Sequence, residues 1–525
     1  MKGCRYLATL LLAFLSFQTI LAGDEIIIVG QNLQNFFYSL DRSRTQGNGV
    51  PMSNYNTAEG RQMKAQTIVE KLSYYEADIY AFNEVEARPE GADTEALEIL
   101  ADLMTRETGY TYNTVADGLT YDTSSDATGT IKSGFIYRTD RIELVGENTS
   151  TAVGYTYVYN YMLRMQTFRS RSSGECFTVS MNHFKASTSG NIDDDRLKRE
   201  QNSMALLQGL DDAGDPDILI LGDLNSEMGE QCLDNLVGAG YEEQIIKYQG
   251  SDAYSYWWYG GTLIDHVFAN STMAQQISSA EIMHIANPHS VGSAYAYSDH
   301  DPYMVVLNLE AKESPTYTYT KATAVEAGNT YLMVAPLDGM KAANPVSAGK
   351  TYEYLQTTDV EEHDGKITMP NQKNGFTFED AGDGNYYLKD YYGRYIYQYQ
   401  YNSSWYSNVN VWTKSSAHAF SATAQTDGTF KIVNTTSGYY FLMRNESGSP
   451  AVSFRNWTTI YSGQYLPALY KYDITATGIK EIADYAEHLN APRKVVENGQ
   501  IIIVTPDGTR YNLQGMRLTD ECPIQ

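Results

Sequence analysis

Cysteine is scarce in this chain, which has only four among its 525 residues. Cys4 lies in the N-terminal segment, so Cys176, Cys232 and Cys522 are the thiols that remain beyond it. Three thiols are too few for a disulfide framework, and the lack of any Cys-x-x-Cys pair argues against a thiolate zinc site. Whether Cys176 and Cys232 form a single bridge in an oxidising compartment is left open by the sequence.

Positive charge is also in short supply, because 38 lysines and arginines stand against 64 aspartates and glutamates, for a net charge of −26. Such an acidic chain does not coat nucleic acid through bulk charge attraction. It can still act on a polyanion at a local cationic site, because a divalent ion then supplies the positive charge. Apolar residues make up 42%, which suits several packed cores.

Long apolar runs are missing beyond the N-terminus. Lys2 and Arg5 precede LATLLLAFLSFQTILA, and Ala22 is placed to end a cleavage site. Residues 1–22 are therefore predicted to be a cleaved signal peptide. A membrane anchor is the alternative, but the run is short for a span and no second apolar stretch follows. We expect an exported protein that is secreted, periplasmic or held at the outer surface.

Three regions follow the predicted signal peptide. Residues 24–310 alternate short β-rich runs with helical stripes, which predicts a layered α/β fold. One such helix is TAEGRQMKAQTIVEKLSYYEA, whose apolar stripe runs from Met63 to Tyr75.

The amino-acid composition of the chain changes beyond Ser314. Residues 316–472 are rich in Tyr, Gly, Thr and Asn, and contain three similar segments, GNTYLMVAPLDG, GNYYLKDYYGRYIY and SGYYFLMRNESG. Such repeats predict an internally repeated β domain, for which a β-trefoil is the first choice. Residues 473–525 have turn signals between strand-like runs and are predicted to form a short β segment with a sorting or accessory role.

Six apolar runs in residues 24–310 end on acids, amides or imidazoles. Strands whose polar residues cluster at one end converge on a shared crevice, and this set of groups suits metal-assisted hydrolysis of a phosphate ester. The runs are IIIVGQNLQN (Asn32, Asn35), ADIYAFNEVE (Glu84), FTVSMNHFK (Asn182, His183), DILILGDLN (Asp223, Asn225), GTLIDHVFA (Asp265, His266) and AYSDHDPYMVVLNL (Asp299, His300).

Two of these motifs carry chemistry on their own terms. Glu84 offers the carboxylate oxygen that a hard divalent cation prefers, although a solvated loop glutamate is the alternative. Asp223 and Asn225 lie on one side of an extended strand end, where the acid can orient water or a metal and the amide can donate to a phosphoryl oxygen. A capping turn is the competing interpretation for this pair.

In this order the six motifs resemble the endonuclease/exonuclease/phosphatase superfamily, the DNase I-like fold, over residues 24–310. YSYWWYGGTLIDHVFAN followed by SDHDP is most similar to secreted bacterial extracellular nucleases. The resemblance implies a four-layer α/β sandwich and hydrolysis of a phosphodiester, with DNA as the expected substrate. It also implies a divalent metal, taken as Mg²⁺ with Mn²⁺ or Ca²⁺ as alternatives.

The resemblance also implies roles for individual side chains. Asn32, Glu84 and Asp299 are expected to hold the metal. His300 is expected to act as the general base that takes a proton from water, with Asp265 holding its other ring nitrogen. His183 is expected to protonate the leaving alkoxide.

Three further residues are expected to contact the substrate, namely Asn35, Lys132 and Lys185. Lys132 also marks a departure from the family pattern, because secretory DNase I-like enzymes pair the acid histidine with a second glutamate near this position. Here GTIKSGFIYR has Ile131 and Lys132 instead, so the partner of His183 is left unidentified. His266 is assigned to packing or surface, because it should face away from its neighbour Asp265 on a strand.

Two rival functions remain open. A sphingomyelinase-like or other non-nucleic-acid phosphodiesterase would use the same catalytic groups, and the adjacent Trp257 and Trp258 are the only hint of a lipid-binding rim. A binding protein would instead use the Tyr-rich residues 316–472 to hold a glycan or a protein. Intact Glu84 and His300 argue against an inactive catalytic region.

Overall fold

The structure is a computed structural model, and no helix among its described residues is long and apolar enough to cross a bilayer. The predicted signal peptide, Trp257, Trp258 and Cys522 lie outside the described residues. The described residues are 24–38, 57–89, 91–117, 120–121, 131–151, 163–188, 190–256, 261–286, 297–309, 316–336, 339–445, 452–473, 493–497, 500–504, 510–512 and 517–518.

The N-terminal region contains fourteen strands and six α-helices within its described residues. The strands are β1 (Asp24–Phe36), β2 (Ile79–Glu86), β3 (Arg88–Pro89), β4 (Tyr112–Thr114), β5 (Thr120–Tyr121), β6 (Ile131–Arg138), β7 (Ile142–Thr151), β8 (Leu163–Ser170), β9 (Cys176–His183), β10 (Ile218–Asp223), β11 (Glu242–Glu243), β12 (Asp265–Ala269), β13 (Ile277–Ile282) and β14 (Tyr303–Leu309). The helices are α1 (Ala58–Leu72), α2 (Ala96–Thr108), α3 (Ile192–Gly209), α4 (Gln231–Gly238), α5 (Gln244–Gln249) and α6 (Ser271–Ala274).

Twelve of these strands form two six-stranded sheets that face each other, and β3 and β5 form a separate two-stranded sheet. The first sheet has the order β13-β14-β1-β2-β6-β4 and the second the order β11-β12-β10-β9-β8-β7. Ile28 and Phe135 of the first sheet share one buried cluster with Val179 and Leu221 of the second. The inward faces of both sheets are therefore covered by each other, as the aligned packing of two twisted sheets requires.

Helices cover the two outward faces. Ile68 of α1 packs with Tyr80 of β2, whereas Leu206 of α3 and Leu233 of α4 pack with Ile220 of β10. Because side chains alternate along a strand, Tyr80 and Ile220 face the helices while their neighbours face the other sheet. The layers run helix, sheet, sheet, helix, so the predicted four-layer α/β sandwich is confirmed.

Helix α1 departs from its predicted register at one residue. It begins after the N-cap Thr57, whose hydroxyl accepts from the Gly60 N–H at 3.0 Å. Ile68 is fully buried as expected, but Met63 is 49% exposed and the next residue, Lys64, is only 3% exposed. Placing Met63 on the buried stripe was therefore wrong, because an ammonium group takes the buried position.

Both described cysteines are free thiols, so no bridge joins Cys176 and Cys232. Cys232 is buried on α4, where its sulfur lies 3.0 Å from the Ser226 hydroxyl. Burial raises the pKa of this thiol to about 12. Cys232 is thus a packing residue with no nucleophilic character at neutral pH.

The region after residue 316 is built almost entirely of strands. Strand β15 pairs with both β21 and β33, and β16 pairs with both β22 and β33, so strands from the two ends of this region lie side by side. The strands are β15 (Tyr317–Lys321), β16 (Asn329–Ala335), β17 (Lys341–Ala343), β18 (Tyr352–Glu353), β19 (Thr357–Asp359), β20 (Glu362–His363), β21 (Lys366–Met369), β22 (Gly375–Gly382), β23 (Asn385–Asp390), β24 (Tyr395–Tyr397), β25 (Gln400–Tyr401), β26 (Ser404–Trp405), β27 (Val409–Trp412), β28 (Ala419–Ala424), β29 (Phe430–Asn434), β30 (Tyr440–Asn445), β31 (Val452–Trp457), β32 (Gln464–Tyr465) and β33 (Ala468–Tyr472).

The three similar sequence segments each supply a strand of this region, namely β16, β23 and β30. Their apolar residues converge on one core that includes Met333, Leu388 and Phe441. The predicted β-rich architecture is confirmed, and the trefoil assignment stays a prediction. A separate four-stranded sheet follows, in the order β34 (Arg493–Glu497), β35 (Gln500–Val504), β36 (Arg510–Asn512) and β37 (Arg517–Leu518).

The β-rich region packs against α3 and α4 of the sandwich. Tyr392 joins the buried cluster formed by these helices and donates its hydroxyl to Asp211. Lys373 pairs with the same carboxylate at 2.6 Å, and the Lys414 N–H donates to Glu200 at 3.0 Å. The contact combines apolar packing with charge-assisted hydrogen bonds.

Candidate active site

Three neighbouring strands of the second sheet bring three predicted catalytic residues side by side. In the β9-β10-β12 register, His183 lies opposite Asp223, and Asp223 lies opposite Asp265. Gly222 makes this approach possible, because a Cβ at its position would lie 1.9 Å from the Asn182 carbonyl oxygen. Any other residue at Gly222 would push β9 and β10 apart and separate the histidine from the aspartate.

The first sheet contributes two amides and a carboxylate from parallel strands β1 and β2. Asn32 lies opposite Asn83, and Glu84 follows directly. The Asn32 amide donates to Glu84 Oε1 at 3.0 Å and to Asp223 Oδ2 at 2.9 Å. Asn83 Oδ1 accepts from the Asp223 N–H at 3.0 Å. The two amides therefore hold the edges of both sheets together at the point where their carboxylates meet.

Several non-glycine residues at this junction have left-handed backbones. They are Gln34, Asn35, Glu84 and Asn225, with φ between 48° and 57°. The Asn35 N–H donates to Glu84 Oε2 at 2.8 Å, and Lys64 Nζ donates to the Gln34 carbonyl at 2.9 Å. Such backbones cost about 1–3 kcal/mol each and persist where the surroundings hold them, which is typical of functional sites.

His300 forms a buried pair with Asp265. Its Nδ1 lies 2.7 Å from Asp265 Oδ2, and its Nε2 lies 3.8 Å from Asp223 Oδ2. Burial alone lowers the pKa of His300, but attraction to Asp265 and Asp223 outweighs it and raises that pKa well above 6.5. The pair has the predicted geometry of a base and its orienting acid, with Nε2 turned toward the other carboxylates.

His183 lies beside the predicted metal ligand Glu84 and the predicted catalytic residue Asp223. Its Nε2 lies 3.7 Å from Glu84 Oε1 and 3.6 Å from Asp223 Oδ2. These two carboxylates are therefore the acidic neighbours of His183 that the sequence left unidentified. Asp223 lies between the two histidines, and its burial raises its pKa, helped by repulsion from Asp265 and opposed by attraction to His300.

The donor set suits a divalent cation. Within the described residues, ligand atoms of Glu84, His183 and Asp223 lie within 4.8 Å of one another, and so do those of Asp223, Asp265 and His300. Converging carboxylate oxygens are the ligands that Mg²⁺ and Mn²⁺ prefer. When bound, such an ion supplies positive charge that stabilises the developing charge on a phosphoryl group. Asp299 belongs to neither group, although its Oδ1 lies 3.9 Å from His300 Nε2.

The two lysines predicted to contact substrate are engaged by carboxylates. Lys132 is buried, with its Nζ 2.8 Å from both Glu95 and Asp117. Lys185 lies 3.2 Å from Asp195 and also donates to the Ala186 carbonyl. The assignment of either lysine to the substrate stays a prediction, because reaching a phosphate would require it to leave these partners.

The two asparagines predicted near the substrate contact the protein itself. Asn225 donates its amide to the Phe184 carbonyl at 3.0 Å, and its N–H donates to Asp223 Oδ1 at 2.9 Å. Asn35 reaches Glu84 through its backbone. Both residues hold catalytic-site carboxylates in place, and their substrate contacts stay predictions.

His266 packs away from the site, as its assignment to packing or surface anticipated. It is fully buried, its Nε2 lies 2.9 Å from the Ser226 carbonyl oxygen, and its Nδ1 lies 3.5 Å from Glu243.

Lys64 is a site residue that the sequence did not reveal. Burial lowers its pKa to about 7, against attraction to Asp299 and Glu84. Its ammonium group supports the Gln34 carbonyl in the strained β1 segment. In the sequence, Lys64 is only a lysine that directly follows a residue of the predicted apolar stripe. Such a lysine is usually solvated, so the sequence did not indicate that Lys64 is buried.

Asp299 gives a prediction on stability. Burial, aided by repulsion from Glu84, raises its pKa from 3.8 to about 6. Its contribution to folding is thus fully present below pH 3.8 and is lost as the pH rises through 6. Without divalent ions, Asp299→Asn should be more stable than the parent at pH 7, by up to about 3 kcal/mol, and equal to it near pH 4. Urea unfolding in chelator at both pH values measures this difference.

Asp102→Asn, at an exposed position on α2, is the matched control and should show no such pH dependence. Equal stability of the parent and Asp299→Asn at pH 7 would contradict the placement of a buried carboxylate with a raised pKa at this position.

Fold and site together define a phosphoester hydrolase, with paired histidines around a carboxylate cluster between two sheets. Residues 32–300, more than half of the chain, match the Endonuclease/Exonuclease/phosphatase family. The chain belongs to this family, whose members are metal-dependent phosphoester hydrolases. The resemblance to the superfamily is thereby confirmed, whereas the closer similarity to secreted bacterial nucleases stays a prediction.

Solved structures with a similar fold include three at low sequence identity. A search among curated proteins found no match. An endonuclease/exonuclease/phosphatase family protein from Bacteroides thetaiotaomicron is 16% identical, with 55% of this chain and 99% of that chain covered and a TM-score of 0.38. The human nocturnin catalytic domain with bound sulfate is 16% identical, with coverage of 54% and 93% and a TM-score of 0.37. A mannosyl-6-phosphatase from B. thetaiotaomicron is 16% identical, with coverage of 53% and 98% and a TM-score of 0.36.

Proposed function

We propose that this protein is a secreted, Mg²⁺-dependent phosphodiesterase that hydrolyses extracellular DNA. The observation that carries the proposal is the position of Asp223, which lies 3.6 Å from the His183 ring and 3.8 Å from the His300 ring. Two imidazoles on either side of one carboxylate can serve the two ends of an in-line displacement at phosphorus. Export, DNA as substrate and the choice of metal are parts of the proposal.

His300 and Asp265 act on the entering water. His300 Nε2 takes a proton from the water as its oxygen attacks phosphorus, and Asp265 keeps the proton on Nδ1 and stabilises the resulting imidazolium. Attraction to Asp265 and Asp223 raises the pKa of His300. Positive charge held by Asp223 and Glu84 would oppose this attraction and favour the neutral ring that accepts a proton.

His183 acts on the leaving side. As the phosphorus–oxygen bond breaks, its Nε2 gives a proton to the departing alkoxide, and a water later restores that proton. Glu84 Oε1 and Asp223 Oδ2 lie 3.7 and 3.6 Å from this nitrogen. Asn32 fixes both carboxylates through its two amide hydrogen bonds.

Digestion of supercoiled plasmid tests the proposal directly. The purified chain should nick and linearise the plasmid with Mg²⁺ or Mn²⁺, and excess chelator should stop cleavage, because carboxylates alone repel the phosphate backbone. Bis-p-nitrophenyl phosphate and sphingomyelin, assayed with the same preparation, separate a general phosphodiesterase or a lipid enzyme from a nuclease. Cleavage that persists in chelator, or hydrolysis of sphingomyelin without cleavage of DNA, would reject the proposal.

A further inference from the structure

A small hairpin of strands β25 and β26 projects from the β-rich region. Its turn residues, Asn402 and Ser403, have φ values of 46° and 65°. Positive φ at both central residues is what a type I′ turn requires, and this turn matches the natural twist of two antiparallel strands. The hairpin is therefore a formed element and not an irregular loop.

Three tyrosines share the outward face of this hairpin. Tyr401 lies opposite Ser404, and the Tyr406 N–H donates to the Tyr399 carbonyl at 3.0 Å. Because side chains alternate along a strand, Tyr399, Tyr401 and Tyr406 lie on one face and Trp405 on the other. Their exposed fractions are 48%, 57% and 49%, and the rings of Tyr399 and Tyr406 lie 5.7 Å apart.

The inward side fixes this face in position. Trp405 packs edge-on against the His418 ring, with centroids 5.8 Å apart. The buried Gln398 amide donates to the Tyr406 carbonyl at 2.6 Å and accepts from the Ser437 hydroxyl at 2.6 Å. A ligand that contacts the tyrosines would meet rings held by a rigid base, and little conformational entropy would be lost on binding.

The sequence around the hairpin favours a neutral, hydroxyl-rich ligand. Residues 395–413 contain no charged side chain, although charged residues make up 19% of the chain. A polyanion or an anionic lipid surface would require cations here. The C–H face of a sugar ring stacks on the negative face of an aromatic ring, while the tyrosine hydroxyls and the amide of Asn402 in the turn can bond sugar hydroxyls.

We propose that the face formed by Tyr399, Tyr401 and Tyr406 is a binding site for neutral glycans. This site is separate from the hydrolase site, because the three tyrosines belong to the β-rich region and none of them contacts Asp223, His183 or His300. Glycan binding would hold the enzyme on a polysaccharide surface while the sandwich acts on its own substrate.

An array of immobilised oligosaccharides tests the proposal with the full-length protein. Neutral, sialylated and sulfated glycans are displayed together, and phosphatidylcholine vesicles serve as the lipid probe. The protein should bind neutral glycans, and changing all three tyrosines to alanine should weaken that binding by at least about tenfold. Tyr401→Phe keeps the ring and should retain most of the affinity.

Tyr74→Ala removes a ring that is 84% exposed on the sandwich and is the matched control, with binding expected to match the parent. The triple variant should keep its melting temperature and its phosphodiesterase rate, since the rings are exposed. Absence of neutral-glycan binding by the parent would overturn the proposal. So would unchanged binding by the triple variant, or a loss seen only with vesicles.

Discussion

Replacing His300 with alanine is expected to lower kcat for phosphodiester hydrolysis by about 10³-fold. His300 Nε2 faces Asp223 while Nδ1 is held by Asp265 at 2.7 Å, so the substitution removes the only proton acceptor assigned to the attacking water. KM should change little, because the ring acts on the transition state more than on bound substrate. Steady-state kinetics on bis-p-nitrophenyl phosphate at saturating Mg²⁺ measure both quantities.

The chain offers a matched control for this variant. His284 also pairs with an aspartate, since its Nδ1 lies 2.8 Å from Asp301 Oδ2, but it is not among the residues grouped around Asp223. His284→Ala should therefore keep kcat within a few-fold of the parent. A His300→Ala protein with nearly full activity would mean that another group activates the water, and the roles of His300 and Asp265 would have to be withdrawn.

The fold of the sandwich could be predicted because each of its motifs is a short local sequence pattern and the motifs follow one another in a recognisable order. Six apolar runs ending on polar residues, met in one sequence order, suffice to identify two sheets whose strand ends share a crevice. The register of β9, β10 and β12 then brings His183, Asp223 and Asp265 together with no further information. These are main-chain consequences of strand pairing, which a sequence pattern expresses directly.

The finer assignments depend on contacts between distant segments, which no local pattern contains. Lys132 was placed at the phosphate, but Glu95 and Asp117 both hold its ammonium at 2.8 Å. Lys64 lies 30 residues from the Gln34 carbonyl that it supports, and attraction to Asp299 and Glu84 partly offsets the effect of its burial. A lysine paired with acids and a lysine facing solvent look identical in sequence.

In the β-rich region, too, local features could be predicted and contacts between distant segments could not. Paired aromatic segments predicted repeated strands, and β16, β23 and β30 are those strands. The contact between the β-rich region and the sandwich could not be predicted, because it depends on a hydrogen bond between distant segments. The Lys414 N–H donates this bond to Glu200 on α3. Arg199, which directly precedes Glu200 on α3, donates to the Lys185 carbonyl and to Glu230. Helix α3 therefore connects the β-rich region with the loop after His183.

Glu84→Gln is expected to raise the Mg²⁺ concentration for half-maximal activity by at least about 100-fold. Glu84 Oε1 faces His183 and accepts from Asn32, and its Oε2 accepts from the Asn35 N–H, so its left-handed backbone presents a fixed carboxylate to the cluster. Gln keeps the shape but loses the negative charge that a divalent ion requires. Plasmid cleavage titrated with Mg²⁺, beside calorimetric titration of the ion alone, separates weakened binding from a damaged chemical step.

Glu86→Gln makes the same change two residues along β2, at a buried carboxylate that accepts from the Tyr38 N–H and is not among the grouped ligand candidates. Its Mg²⁺ dependence should match the parent, so any loss common to both variants reports stability and not metal binding. If Glu84→Gln kept the parent's affinity for Mg²⁺ in calorimetry, Glu84 would not be a ligand. The other candidate ligands, Asn32 and Asp299 and the second group of Asp223, Asp265 and His300, would then have to be tested in the same way.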